Sequence, residues 1–91
     1  MILSFKHAGL SELLATGKSK KISADLHKRA KRRLDALNAA SAPTDMNVPG
    51  FNFHALKGLP QRYSVHVNGP WCITFEWLGA DATQVDLEQY H

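Results

Sequence analysis

Two short segments of this 91-residue chain bring proton-transfer groups together with other polar side chains. The first is His54-Ala55-Leu56-Lys57-Gly58, where an imidazole precedes an ammonium by three positions. The second is Glu88-Gln89-Tyr90-His91, which ends on a phenol and an imidazole. Histidine exchanges protons near neutral pH more readily than any other side chain, so both segments are suited to acid–base chemistry. Cys72 is the chain's one cysteine, and it forms no internal disulfide and no cysteine-based zinc site by itself. The five histidines lack metal-ligand spacing, so neither metal nor cofactor is expected. A Cys72–His66 nucleophile pair has no supporting context, and Cys72 reads as an inert strand residue.

The charges are strongly polarised. Residues 1–33 carry nine of the eleven Lys/Arg against Glu12 and Asp25, a balance of +7, and the remainder carries −4. Such a molecule presents one positive surface, suited to RNA, DNA or an acidic protein. The alternative is a solvated helix face kept basic for solubility. With 44% hydrophobic and 21% charged residues, the composition is that of a folded domain, taken as one unit over residues 1–91. No apolar run approaches the ~20 residues that cross a bilayer, and Lys6 and His7 interrupt any signal-like start. A soluble, cytoplasmic protein without membrane association is therefore expected.

The elements that must position these groups follow from periodicity. Residues 2–6 read as an opening strand, with Leu3 and Phe5 opposite Ile2, Ser4 and Lys6. Leu10, Leu13 and Leu14 have the spacing of a short amphipathic helix ended by Gly17. A basic linker leads to Ser23, the N-cap of a second helix with Asp25 in its first turn, running to Ala39 or Ala40. Leu26, Ala30, Leu34 and Leu37 form its apolar stripe; Lys28, Arg29, Lys31, Arg32 and Arg33 form a cationic ridge around the rest. After a loop over residues 41–51, the chain alternates with period two. A three-residue loop at Asn68-Gly69-Pro70 pairs Val67 with Trp71, Val65 with Ile73 and Tyr63 with Phe75. That register collects Arg62, Ser64, His66, Cys72 and Thr74 on the opposite face, with His66 across from Cys72. Gly79-Ala80-Asp81 turns into a last strand over residues 83–88 that contributes Val85 and Leu87 to the core. The order predicts an α+β domain, an N-terminal strand and two helices packed on a mostly antiparallel, twisted sheet.

The segment Phe53-His54-Ala55-Leu56-Lys57-Gly58, the strands Tyr63-Ser64-Val65-x-Val67 and Trp71-x-Ile73-Thr74-Phe75, and the ending Val85-Asp86-Leu87-Glu88-x-Tyr90-His91 carry a resemblance. With the opening Ile2-x-Ser4-Phe5-Lys6-His7-x-Gly9-Leu10 and the basic second helix, nearly the whole chain resembles the HigB-type (plasmid maintenance killer) toxins of the RelE-like superfamily. The resemblance implies a toxin that enters the ribosomal A site and cleaves translated mRNA. It implies a helix-turn-helix antitoxin of HigA type as partner, the toxin being a monomer alone and part of a hetero-oligomer with that antitoxin. It places catalysis on His54, Lys57, Tyr90 and His91. Charge and register, rather than the resemblance, offer Arg62, His66 and the second-helix cations Lys28, Arg29, Lys31, Arg32 and Arg33 as RNA contacts, the helix ridge being equally suited to an acidic stretch of the antitoxin.

Three positions depart from the family pattern. Cys72 stands where arginine usually follows the tryptophan, Gln89 where aspartate usually precedes Tyr-His, and Asn68 where a basic residue is common near the turn. Losing a phosphate-binding arginine removes a bidentate charge that no other residue type reproduces. Catalysis here then leans on Lys57, Arg62 and the histidines, with protonated His66 as a partial replacement, or the chain is a weakened member that mainly binds its antitoxin. A relative of the same fold that binds a protein such as gyrase is the third reading.

Overall fold

The computed structural model describes residues 1–89; Tyr90 and His91 lie outside the described residues. The chain forms α1 (Ala8–Thr16), α2 (His27–Ala39) and four strands, β1 (His54–Leu56), β2 (Arg62–Asn68), β3 (Trp71–Leu78) and β4 (Asp81–Gln89). The strands lie in the order β1-β2-β3-β4, each antiparallel to its neighbour. Both helices cover one face of this sheet, which is the expected α+β layering.

Local sequence sets each helix boundary. His7 is extended and its Nδ1 accepts a hydrogen bond from the Gly9 N–H at 3.0 Å, which starts α1. Gly17 adopts φ 81° and donates to the Leu13 carbonyl at 2.8 Å, which ends it. A Cβ on Gly9 would lie 2.9 Å from the His7 ring and 3.0 Å from Ile22, so the inter-helix linker passes too close for a side chain there. Ser23 does not cap an α-helix, contrary to expectation. A 3-10 turn over Ala24–Leu26 intervenes, and the Ser23 hydroxyl bonds the Asp25 carboxylate instead. The four stripe residues Leu26, Ala30, Leu34 and Leu37 are all buried as expected.

Arg33 departs from the ridge reading. It is only 7% exposed, because its guanidinium lies 4.5 Å from the Phe51 ring centroid and donates to three carbonyls, those of His66, Gly50 and Arg29. Burial, and then the charges of Arg32 and Arg29, lower its pKa. It is a buried cross-brace between α2, the loop at Gly50-Phe51 and β2, not a residue offered to a partner.

The N-terminal segment forms two isolated parallel bridges, Ile2 with Ala82 and Phe5 with Val85, in place of a continuous strand. Ile2 and Phe5 therefore both pack against the core and Leu3 is exposed, the reverse of simple alternation. This segment meets a need in β4. Thr74 pairs with Asp86 but Glu76 with Thr83, so Gln84 and Val85 together oppose Phe75. Gln84 sits at φ 52°, and its N–H donates to Ser4 Oγ while the Val85 N–H donates to the Ser4 carbonyl. The N-terminal residues satisfy donors that the bulge removes from the ladder.

The central hairpin keeps the expected pairs Tyr63–Phe75, Val65–Ile73 and His66–Cys72. It differs at its tip: Trp71 pairs with Asn68, and Val67 is the extra residue of a bulge, still fully buried. Asp81 likewise belongs to β4, paired with Leu78, so Gly79-Ala80 alone makes the second turn. Phe75, Ile73, Val65, Val67 and Val85 fill the core with Leu10, Leu13, Leu34 and Leu37 from the helices. Stacking of Phe53 on Tyr63 and of Tyr63 on Phe75 continues it toward β1.

Candidate active site on the open face of the sheet

Antiparallel pairing sends directly opposed residues to the same face. His54 opposes Ser64 and Leu56 opposes Arg62, so β1 delivers its histidine to the face that the helices leave open. Ser64 opposes Thr74 and Cys72 opposes Glu88, which carries that face across β3 to β4. His54, Ala55, Leu56, Lys57, Arg62 and Glu88 line a cleft of about 470 Å³ there. Lys57 follows directly on the end of β1.

The residues of the cleft are held by specific contacts. His54 Nδ1 donates to the Asn52 carbonyl at 3.0 Å, and Asn52 adopts φ 47°. With its proton on Nδ1, a neutral His54 ring has its lone pair on Nε2. Arg62 donates through Nη2 to Thr74 Oγ1 at 2.8 Å and to the Glu88 carboxylate, and the Thr74 hydroxyl donates to the same carboxylate oxygen. Burial opposes ionisation of Glu88, but the Thr74 hydrogen bond and the Arg62 charge outweigh it and hold its carboxyl below the usual range. Ser64 is fully buried beneath this face, and its hydroxyl has no hydrogen-bond partner among the described residues.

Of the residues singled out in the sequence, the cleft collects His54, Lys57 and Arg62. His66 is across from Cys72 as expected, but its Nε2 donates to the Gly69 carbonyl at 2.9 Å, which ties the ring to the hairpin turn. It does not line the cleft. Cys72 is free and buried between His66 and Glu88 in register. Lys28, Arg29 and Arg32 are exposed on α2, in the other layer of the molecule. Arg29 reaches Asn68 Oδ1 at the hairpin turn, and Lys31 is paired with Asp35 at 2.6 Å. Tyr90 and His91 lie outside the described residues. Glu88 and Thr74 were missed by sequence reasoning, although strand alternation already placed Thr74 on the open face. Nothing in the sequence showed that Arg62 would reach across β3 to meet them.

A larger depression of about 1050 Å³ lies between α1 and the start of α2, lined by Lys18, Lys20, Lys21, Ile22 and His27 among others. His27 there donates to the Ser19 and Ile22 carbonyls and so closes the linker. Size alone would favour this depression, and Glu12, three lysines and His27 line it as well, but the His27 ring is committed to two backbone carbonyls, whereas the sheet cleft holds His54 and Lys57 of the segment singled out in the sequence.

Two helices backing a small antiparallel sheet, with basic and proton-transfer groups gathered on its open face, define a small α+β protein whose cleft carries two cations and a histidine. Comparison with known sequences makes the class specific. Residues 3–91 match the HigB-like toxin family model, described as the RelE-like toxin of the type II toxin–antitoxin system HigB. The Endoribonuclease HigB of Proteus vulgaris is 36% identical over 92 residues, an alignment that spans all of both chains. The chain belongs to the HigB-like family of RelE-like toxins, proteins that operate with an antitoxin. Among the described residues no helix is long and apolar enough to cross a membrane.

Proposed function

We propose that this toxin is an endoribonuclease that enters the ribosomal A site in the cytoplasm, cleaves translated mRNA, and is silenced by a helix-turn-helix antitoxin of HigA type. The observation that carries the reading is the convergence of His54, Lys57 and Arg62 in one cleft on the open sheet face. The P. vulgaris relative, matched along its whole length, is named as an endoribonuclease.

Internal cleavage of RNA requires removal of the 2′-hydroxyl proton, attack of that oxygen on phosphorus, and protonation of the departing 5′-oxygen. His54 is suited to removing the first proton, because the Nδ1–H that it donates to the Asn52 carbonyl selects the tautomer whose basic nitrogen is Nε2. Lys57 and Arg62 supply the cations that stabilise charge building on the phosphate oxygens. Tyr90 stacks on or hydrogen-bonds a base, and His91, entering the reaction as the imidazolium, donates its own proton to the leaving 5′-oxygen while His54 keeps the one taken from the 2′-hydroxyl. The exposed Lys28, Arg29 and Arg32 attract ribosomal RNA. Arg62 takes the role that an arginine at position 72 plays elsewhere in the family.

Induction in a bacterium, followed by mapping of mRNA 5′ ends, tests the reading. Fresh cuts within translated codons are the expected result. Growth arrest with intact transcripts would instead assign the protein to a binding mode such as gyrase poisoning. Absence of both would make it an attenuated member that chiefly binds its antitoxin, in which case Cys72→Arg should increase killing sharply.

A further inference from the structure

Glu88 lines the cleft and has no part in the proposed chemistry. Its carboxylate closes a cluster with one residue from each of three strands: Arg62 of β2, Thr74 of β3 and Glu88 of β4. The register makes this arrangement non-local. Thr74 opposes Ser64, not Arg62, so the arginine lies diagonally over β3 to reach Thr74 and then Glu88. Thr74 is 1% exposed, and its hydroxyl accepts from Arg62 while donating to Glu88. Donors and acceptors in this cluster are matched one to another, which leaves the guanidinium little rotational choice.

Only Nη2 of Arg62 is used in this way. Among the described residues Nε and Nη1 donate to no protein acceptor, so the guanidinium retains donors for a second anion. An ion pair about one-third exposed contributes little to stability, and the larger consequence of this one is geometric. A free arginine would lose its rotamer freedom at the moment of substrate binding, whereas a braced one has given it up already on folding.

We infer that Glu88, acting with Thr74, is a positioning residue that holds the Arg62 guanidinium in the cleft for a non-bridging phosphate oxygen of the RNA. Glu88 itself exchanges no proton with the substrate. The inference rests on the RNA-cleaving reading of the cleft.

The test compares wild type, E88Q, T74V, T74S, R62Q and E88Q/R62Q for mRNA cleavage in a translation extract, with melting temperatures measured alongside. E88Q should lower kcat about tenfold or more with little change in KM, as expected when a phosphate-stabilising group is displaced. T74V should fall in the same direction and T74S should retain most of the activity. In the R62Q background E88Q should add nothing, because the two residues act as one unit. Unchanged kcat in E88Q, or losses that multiply in the double variant, would overturn the inference and leave Glu88 a structural brace. Faster cleavage by E88Q would also overturn it, by showing that the carboxylate competes with RNA for Arg62. If R62Q itself cleaves at the wild-type rate, the failure lies with the cleft assignment, and the positioning role falls with it.

Discussion

Ser64 and Glu88 share one face of the sheet and place opposite demands on stability. The Ser64 hydroxyl is fully buried without a partner among the described residues, which costs about 1–3 kcal/mol of desolvation. Ser64→Ala should therefore leave the melting temperature unchanged or raise it, by up to about 1 kcal/mol equivalent, in differential scanning calorimetry. A large loss of stability would mean that the hydroxyl does have a partner. Glu88 is held below the usual carboxylate range, so its contribution is full above the unfolded-state pKa of ~4.3 and lost as pH falls through its folded value. Chemical denaturation below pH 5 should show wild-type stability falling with acid more steeply than that of Glu88→Gln. Parallel slopes would contradict the ionised pairing with Arg62 and Thr74. For His54, the Asn52 carbonyl is what assigns the basic nitrogen, and φ 47° at Asn52 is a local conformation that no side-chain pattern announces.

The α2 helix has two basic populations with different energetics. Arg33→Ala strips hydrogen bonds from the His66, Gly50 and Arg29 carbonyls and removes the stack on Phe51, so urea titration should show a loss of about 2–4 kcal/mol. Exposed Arg32→Ala should stay within about 0.5 kcal/mol of wild type. Equal effects would place Arg33 back on the surface ridge. The same contrast separates what is legible in a sequence from what is not. The stripe Leu26, Ala30, Leu34 and Leu37 and the pairing of β2 with β3 were legible because period 3.6 and period 2 report burial directly. Arg33 read as solvated because a guanidinium is buried only when distant groups, here Phe51 and three carbonyls, satisfy it. The bulges at Val67 and at Gln84-Val85, and the pairing of residues 2–5 with β4, are set by tertiary partners. In the cleft, His54 and Lys57 could be read from their spacing and family context, whereas the Thr74–Glu88 brace required three strands to be in register first.

Across the whole molecule, charge and chemistry occupy different layers. The open sheet face holds the cleft, while Lys28, Arg29 and Arg32 stand on the helix layer behind it. A long-range electrostatic role for α2 predicts that K28E/R29E/R32E weakens RNA association at low salt. It should also flatten the dependence of log K on log salt by roughly 0.7 for each phosphate that is no longer neutralised. An unchanged salt slope in filter-binding or anisotropy titrations would show that the ridge faces a protein instead. The most direct measurement, however, is the rate at which purified His54→Ala and Lys57→Ala proteins cut mRNA in a translation extract, set against wild type with folding confirmed by melting temperature. Each rate should fall by about a hundredfold or more at an unaltered melting temperature. Wild-type rates in both folded variants would contradict catalysis in this cleft and move the chemistry away from the open face of the sheet.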